Sequence, residues 1–310
     1  MNKNILTKSW VVILIAFICS AVWGTAFSGV KIGYDKFGIE SADWSSQMIF
    51  AGTRFAIAGI MTILAGSLTA KKLLMPTKSS IPKIAMISLF QTVLQYFFYY
   101  IGLAHTTGVK AAVIVSAKVF AAILISSLIY RLEKLTMRKI IGCILGFSGI
   151  ILINMNGLKS GLNFSLLGDG FILISTIANG FSSVLIKKYS SNENPVLLSG
   201  WQFLFGGLIM AIIGLACGGN IGNITVNSVT ILLYLAFVSA AAYSLWAMLL
   251  KYNPVSKVSV FGFMNPVCGV VISSIVLKES GSIGIHALAA LVLVCLGIFI
   301  VNREKNKSIG

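Results

Sequence analysis

The chain alternates between long apolar stretches and short polar gaps. Ten stretches reach the length of a membrane-crossing helix, at roughly 10–31, 46–69, 84–103, 109–130, 138–155, 167–186, 196–217, 229–250, 256–277 and 284–302. A hydrocarbon core of ~30 Å takes about 20 helical residues to cross, so each stretch reads as one transmembrane helix. Runs such as Ile140 to Ile153 and Ala287 to Val301 are apolar on every face, which argues against the alternating strands of a barrel. The expected fold class is all-α integral membrane.

The two halves of this pattern resemble each other. Phe27-Ser28-Gly29-Val30 returns as Phe181-Ser182-Ser183-Val184, and Gly59-Ile60-Met61 as Leu208-Ile209-Met210. Ile125-Ser126-Ser127-Leu128 is matched by Ile272-Ser273-Ser274-Ile275, with Glu133 and Glu279 after them, and Gly149 to Asn154 is matched by Gly297 to Asn302. The order is the same in both halves. We therefore expect ten transmembrane helices as two inverted five-helix repeats, 1–157 and 158–310, within one transmembrane domain. An odd number of helices per copy turns the second copy over, placing a pseudo-two-fold axis in the membrane plane.

Composition agrees with this picture. With 57% hydrophobic and 10% charged residues, the 310-residue chain lacks the polar surface a soluble core needs. Its net charge of +16 comes from short separate loops rather than one patch, so no nucleic acid is expected as a partner. Seventeen basic residues fall on the side of the two termini and five on the other. That bias places the N- and C-termini in the cytoplasm and the multi-pass chain in the cytoplasmic (plasma) membrane, with lipid as its surroundings. Lys3 and Lys8 precede an apolar run that continues through Trp23 and Phe27 without an A-x-A-like site, and this reads as a retained first helix. The five cysteines are dispersed, and the two histidines, His105 and His286, lie near span ends. We expect no metal, no cofactor and no enzyme active site.

Certain residues carry a family resemblance. Ser20-Ala21-Val22-Trp23-Gly24 through Lys31, Arg54-Phe55, Leu132-Glu133-Lys134-Leu135-Thr136, Gly168-Asp169, Tyr243-Ser244-Leu245-Trp246, Asn265-Pro266 and Lys278-Glu279 resemble, in order, the motifs of EamA-type members of the drug/metabolite transporter superfamily. The resemblance covers residues 10 to 302. It implies an exporter or permease for small metabolites, with a central cavity lined mainly by the first four helices of each half. The chain departs from the pattern where Lys118 stands near the fourth helix's usual proline, and where Leu132 replaces a glycine before the glutamate.

Polar residues inside the spans are the candidates for chemistry. Lys118 lies near the middle of the fourth span, where a charge costs at least ~2.5–3.5 kcal/mol on insertion scales and should face water or a partner. Its readings are a counter-ion for a substrate anion, or a lysine neutralised by burial or held by a carbonyl. Arg54, with Gln47, Ala51 and Ala58 on its face, either clamps an anion or braces the bundle. No Asp or Glu lies mid-span, so proton coupling through a buried carboxylate lacks a residue there. Gln95 and Tyr99, Asn179, and Tyr243 and Trp246 belong to three stripes at helical spacing, Gln91-Gln95-Tyr99, Ser175-Asn179-Ser182 and Ser239-Tyr243-Trp246. With Trp23 and Asn265 they complete the expected substrate-binding set. Pro266 is the expected hinge, freeing a carbonyl near Gly262. The Gly142 to Gly146 spacing reads as a helix-packing surface, giving a monomer or weak homodimer. The expected function is alternating-access transport, as an exporter, of small metabolites with an anionic group such as amino acids or organic acids. An anion-selective channel or facilitator is the alternative, and a membrane enzyme stands behind both.

Overall fold

The computed structural model describes residues 3–106, 108–153, 155, 164–222, 224–276 and 285–303. The expected boundary between the halves at 157/158, Asn154, Lys159, Lys278, Glu279, Glu304, Lys305 and Lys307 lie outside the described residues. A short helix, Lys3–Leu6, precedes ten helical segments. These are α1 (Ser9–Phe37), α2 (Trp44–Ala70), α3 (Ile81–Ala104), α4 (108–129), α5 (Met137–Ile153), α6 (Leu166–Tyr189), α7 (Pro195–Ala216), α8 (Val226–Tyr252), α9 (255–276) and α10 (Ile285–Asn302). Among the described residues seven of them, α1 to α4 and α6 to α8, are long and apolar enough to cross a membrane. The described fold is all-helical.

Local chemistry sets the helix ends. Asp43 accepts the Ser46 N–H at the start of α2, Asn194 accepts that of Val196 ahead of Pro195 in α7, and Thr225 and Ser228 form a reciprocal capping box on α8. Helix α1 runs on past the expected end at residue 31, because Tyr34 and Phe37 pack edge-on against Phe50 of α2. It stops at Gly38, whose φ of 69° is the left-handed cap that glycine adopts without strain. Lys31, Asp35 and Lys36 therefore belong to the helix rather than to the loop after it.

Helices pair across the halves. The second helices, α2 and α7, pack together, as do the fifth helices, α5 and α10. The contacts run in opposite directions along each pair: Gly52 faces Gly207 and Ala211, Gly59 faces Gly200 and Leu204, and Gly214 faces Ser45 and Ile49. Likewise Gly142 faces Gly297 and Val301, while Gly149 faces Ala290 and Val294. A side chain at Gly207 would lie 2.5 Å from the Ala56 nitrogen, so glycine allows backbones to touch here. The Gly142–Gly146 surface is thus used inside the chain, against α10 and Phe263 of α9.

The first helices are exchanged. Helix α1 packs on α8 and α9 of the second half, and α6 packs on α3 and α4 of the first. Each first helix runs antiparallel to its third-helix neighbour, as Cys19 to Ala242 and Gly29 to Leu235 show for α1, and Phe181 to Phe90 and Phe171 to Phe98 for α6. Each runs parallel to its fourth-helix neighbour, Ser20 meeting Phe261 and Gly24 meeting Cys268 on one side, Thr176 meeting Ile114 and Gly180 meeting Ala121 on the other. Two interlocked groups result, α1-α8-α9 and α6-α3-α4.

Candidate functional site

Both fourth helices are broken near their middles. Helix α4 turns at Ala117, whose N–H bonds to the Ile114 carbonyl three residues back, and restarts at Lys118. Helix α9 tightens into a 3₁₀ turn over Val260–Phe263, directly before Met264 and the proline at 266, which has no N–H for the Gly262 carbonyl. The expected irregularity near Gly262 is present. The Ser20 hydroxyl of α1 donates to the Phe261 carbonyl at 3.3 Å, meeting part of the backbone's need there.

Lys118 lies on this break. A side chain at Gly262 would sit 3.5 Å from the Lys118 Cε, so the lysine stem crosses the glycine of the opposite half. It is partly exposed, makes no hydrogen bond or ion pair among the described residues, and meets no charged neighbour. Asn265, one turn beyond Gly262, is 7% exposed with its Oδ1 unpartnered, and Pro266 is half-buried beside it. Asn265 follows Lys118 by the same interval that separates Ile272 from Ile125, so the two occupy repeat-equivalent positions.

Arg54 belongs to a different group of side chains. It is 6% exposed, its Nε has no hydrogen-bond partner, and its guanidinium carbon lies 4.4 Å from the Phe55 ring centre. Its charge reaches the phenols of Tyr34, Tyr96 and Tyr243. Among the described residues it forms no ion pair. From there a continuous run of rings crosses the molecule: Phe55 stacks on Phe203 at 5.1 Å, Phe203 meets Tyr243 at 4.8 Å, and Tyr243 meets Trp23 at 5.0 Å. Trp23 then meets Trp246 at 5.1 Å, and Tyr96 links Phe55 to Tyr99. The Trp23 Nε1 is also buried and unpartnered.

The expected residues are therefore brought together in part. Trp23, Tyr243 and Trp246 touch, Tyr99 joins them through Tyr96, and Asn179 donates to the Gln95 Oε1 at 2.9 Å, tying α6 to α3. The charge of Arg54 reaches the tyrosines, and Lys118 stands at the helix breaks beside Gly262. Gln47, on the expected face of Arg54, turns away and donates to the Glu40 and Ser41 carbonyls. Tyr96 escaped the sequence reading. It hydrogen-bonds Tyr243 hydroxyl to hydroxyl at 3.2 Å, and the two stand at the same interval as Ile125 and Ile272. The repeat carried that signal, although the helical stripe through Gln95 and Tyr99 did not. Among the described residues no three His, Cys, Asp or Glu side chains gather as metal ligands.

Known proteins resemble this chain over most of its length. The model of the EamA-like transporter family matches residues 10–155 and 166–303. An uncharacterized transporter of Archaeoglobus fulgidus is 26% identical over 304 residues, covering 96% of this chain and 100% of that protein. The uncharacterized transporter YvbV of Bacillus subtilis is 26% identical over 96% of this chain and 93% of its own. A WAT1-related chloroplastic protein of Arabidopsis thaliana, At3g02690, is 24% identical over 94% and 69% respectively. One solved crystal structure shares the fold at a TM-score of 0.74 and 15% identity, over 93% of this chain and 95% of the other.

Proposed function

The chain belongs to the EamA-like transporter family of the drug/metabolite transporter superfamily, as a multi-pass membrane transporter, and from that premise we propose that it exports small metabolites bearing an anionic group by alternating access. The observation that carries the substrate class is Arg54. A guanidinium cannot shed its proton, and a buried one without a carboxylate is costly unless something supplies the negative charge. Here a ring face lies beside it, its charge reaches three phenols, its Nε stays unpartnered, and no acidic side chain pairs with it among the described residues. An amino acid or organic acid completes the site. Trp23, Gln95, Tyr99, Asn179, Tyr243 and Trp246 provide ring faces and amides around the rest of the substrate, and Lys118 with Asn265 forms a second contact at the breaks of α4 and α9.

Ten crossings as two inverted repeats account for the mechanism. Antiparallel pairing of α2 with α7 and of α5 with α10 supports this reading, as does the reciprocal exchange of first helices. Halves that swap conformations open the same site first to one side and then to the other. Pro266 and the turn at Ala117 are the hinges of that motion. The basic loops favour the cytoplasmic membrane with both termini inside.

Purified protein in liposomes, screened with labelled amino acids, organic acids and cationic drugs, tests the substrate class. We expect flux of anion-bearing solutes that Arg54→Gln strongly lowers at subsaturating concentration and Lys118→Ala weakens. Flux of cations alone would contradict the proposal.

A further inference from the structure

The mechanism above makes no use of a buried carboxylate that joins the two interlocked groups at one end of the molecule. Glu133 lies between α4 and α5, and Leu132 and Glu133 are folded back under α4 by a left-handed turn at Arg131, φ 51°, with the Leu132 N–H on the Ser126 carbonyl. A non-glycine residue holds that conformation only where its surroundings require it. The turn leaves Glu133 8% exposed.

Four side-chain or backbone donors converge on it. From its own half come the Ser126 hydroxyl at 3.0 Å and the Lys139 ammonium at 2.8 Å. From the other half comes Ser256, in the first turn of α9, whose backbone N–H reaches Oε1 at 2.9 Å and whose hydroxyl reaches Oε2. Lys187 of α6 adds its charge nearby and donates to the Lys251 carbonyl of α8 at 3.0 Å. The end in question is where the chain begins, because Asn253, beside Ser256, donates to the Leu6 carbonyl.

The same end is where the groups close on each other. Residues 118–124 of α4 pack on 255–263 of α9, with Phe120 against Phe263 at 6.3 Å. Beyond the breaks the two helices part company: 108–116 packs on α5 and α6, and 264–276 on α1 and α10. The other buried carboxylate with an ion pair, Asp169, does not bridge the groups. Its partners Thr106, Lys110 and Ser165 belong to α6, α4 and their adjoining loops, all on one side.

We infer that Glu133 is the latch of the gate at the chain-start end, holding α9 through Ser256 while that gate is shut and releasing it when the gate opens. This rests on the alternating-access reading above. Ser126 sits on α4, and Lys139 also donates to the Lys134 carbonyl next to Glu133, so parting α9 from α4 breaks the two Ser256 bonds while these ties keep the carboxylate paired. A charge kept paired in both states can be released without the penalty of stranding it. A latch with differential contacts in two states sets their ratio, and losing a bond to an ionised group shifts such a ratio about tenfold.

Spin-label distances in the full chain reconstituted in lipid test it, with the five native cysteines replaced. One label pair, at Lys8 and Ser191, reports the chain-start end; a second, at Glu40 and His105, reports the opposite end, and all four sites are exposed. We expect Glu133→Gln, and the milder Ser256→Ala, to raise the long-distance fraction of the first pair about tenfold while shortening the second. Lengthening of the first pair with no change in the second would leave the latch standing and overturn reciprocal opening. No change in the first pair with either variant would overturn the latch.

Discussion

Arg54 is where chemistry and cost meet most directly. Its guanidinium lies against the Phe55 ring with no ion-pair partner among the described residues, so on the proposal made above the anionic group of a substrate would gain a charge-assisted contact there. Arg54→Gln should raise the KM for an anionic solute roughly 10–100-fold, the range expected for a hydrogen bond to a charged group, as read in initial rates of liposome uptake. Tyr96→Phe removes the hydroxyl that joins the two third helices and should lower stability by about 1 kcal/mol in a detergent melt, with a smaller effect on KM. At this scale the sequence was partly legible. It gave Arg54 and Lys118 a depth in the membrane, but depth does not fix which neighbours a helix turns a residue towards. Their neighbours follow from packing, of α2 on α7 for Arg54 and of α4 on α9 for Lys118. Tyr96 was readable through its repeat mate Tyr243, whereas Glu133 looked like a helix-end acid because the turn at Arg131 that buries it leaves no pattern in hydropathy.

Helix ends and helix contacts decide how firmly these residues are held. Asp43 caps α2 by accepting from the Ser46 N–H at 3.0 Å and the Ser45 hydroxyl at 2.7 Å. Burial alone would raise its carboxyl pKa, but the bonds from Ser46 and Ser45 outweigh burial and hold it below the usual carboxylate value. A lowered folded-state pKa stabilises the fold above the unfolded value of about 3.9, and that contribution fades as pH falls through the folded value. Asp43→Ala should therefore cost about 1 kcal/mol near neutral pH, and the difference in melting temperature should shrink in acid. The α2–α7 contact is less forgiving. Gly207→Val forces a side chain to 2.5 Å from the Ala56 nitrogen and should cost at least about 1–3 kcal/mol, seen as a lower melting temperature or loss of folded protein. The helical segments were visible in the sequence as apolar runs, seven of them among the described residues long enough to cross a membrane, while the end of α1 shifted because Lys31, Asp35 and Lys36 continue the helix.

For the whole molecule, the packing of α1 on α8 and α9 and of α6 on α3 and α4 makes two groups that share no simple boundary along the chain. Four short matches point to a repeat in the sequence; the packing of α1 on α8 and α9 and of α6 on α3 and α4 was not legible there, because nothing in a run of apolar residues states which half it packs against. In the mechanism proposed above, the breaks at Ala117 and Val260–Phe263 serve as hinges, the Tyr96–Tyr243 bond as a shared centre and the Glu133 tie as a catch. On the alternating-access proposal, the Tyr96–Tyr243 contact would persist when the halves exchange conformations, whereas the Glu133 tie would not. Counterflow in proteoliposomes tests the central claim of a carrier most directly. Vesicles loaded with an unlabelled transported anion should take up the labelled anion to a transient overshoot that saturates with concentration. Uptake that rises only to equilibrium, without overshoot or saturation, would mean a continuous pore and contradict the account.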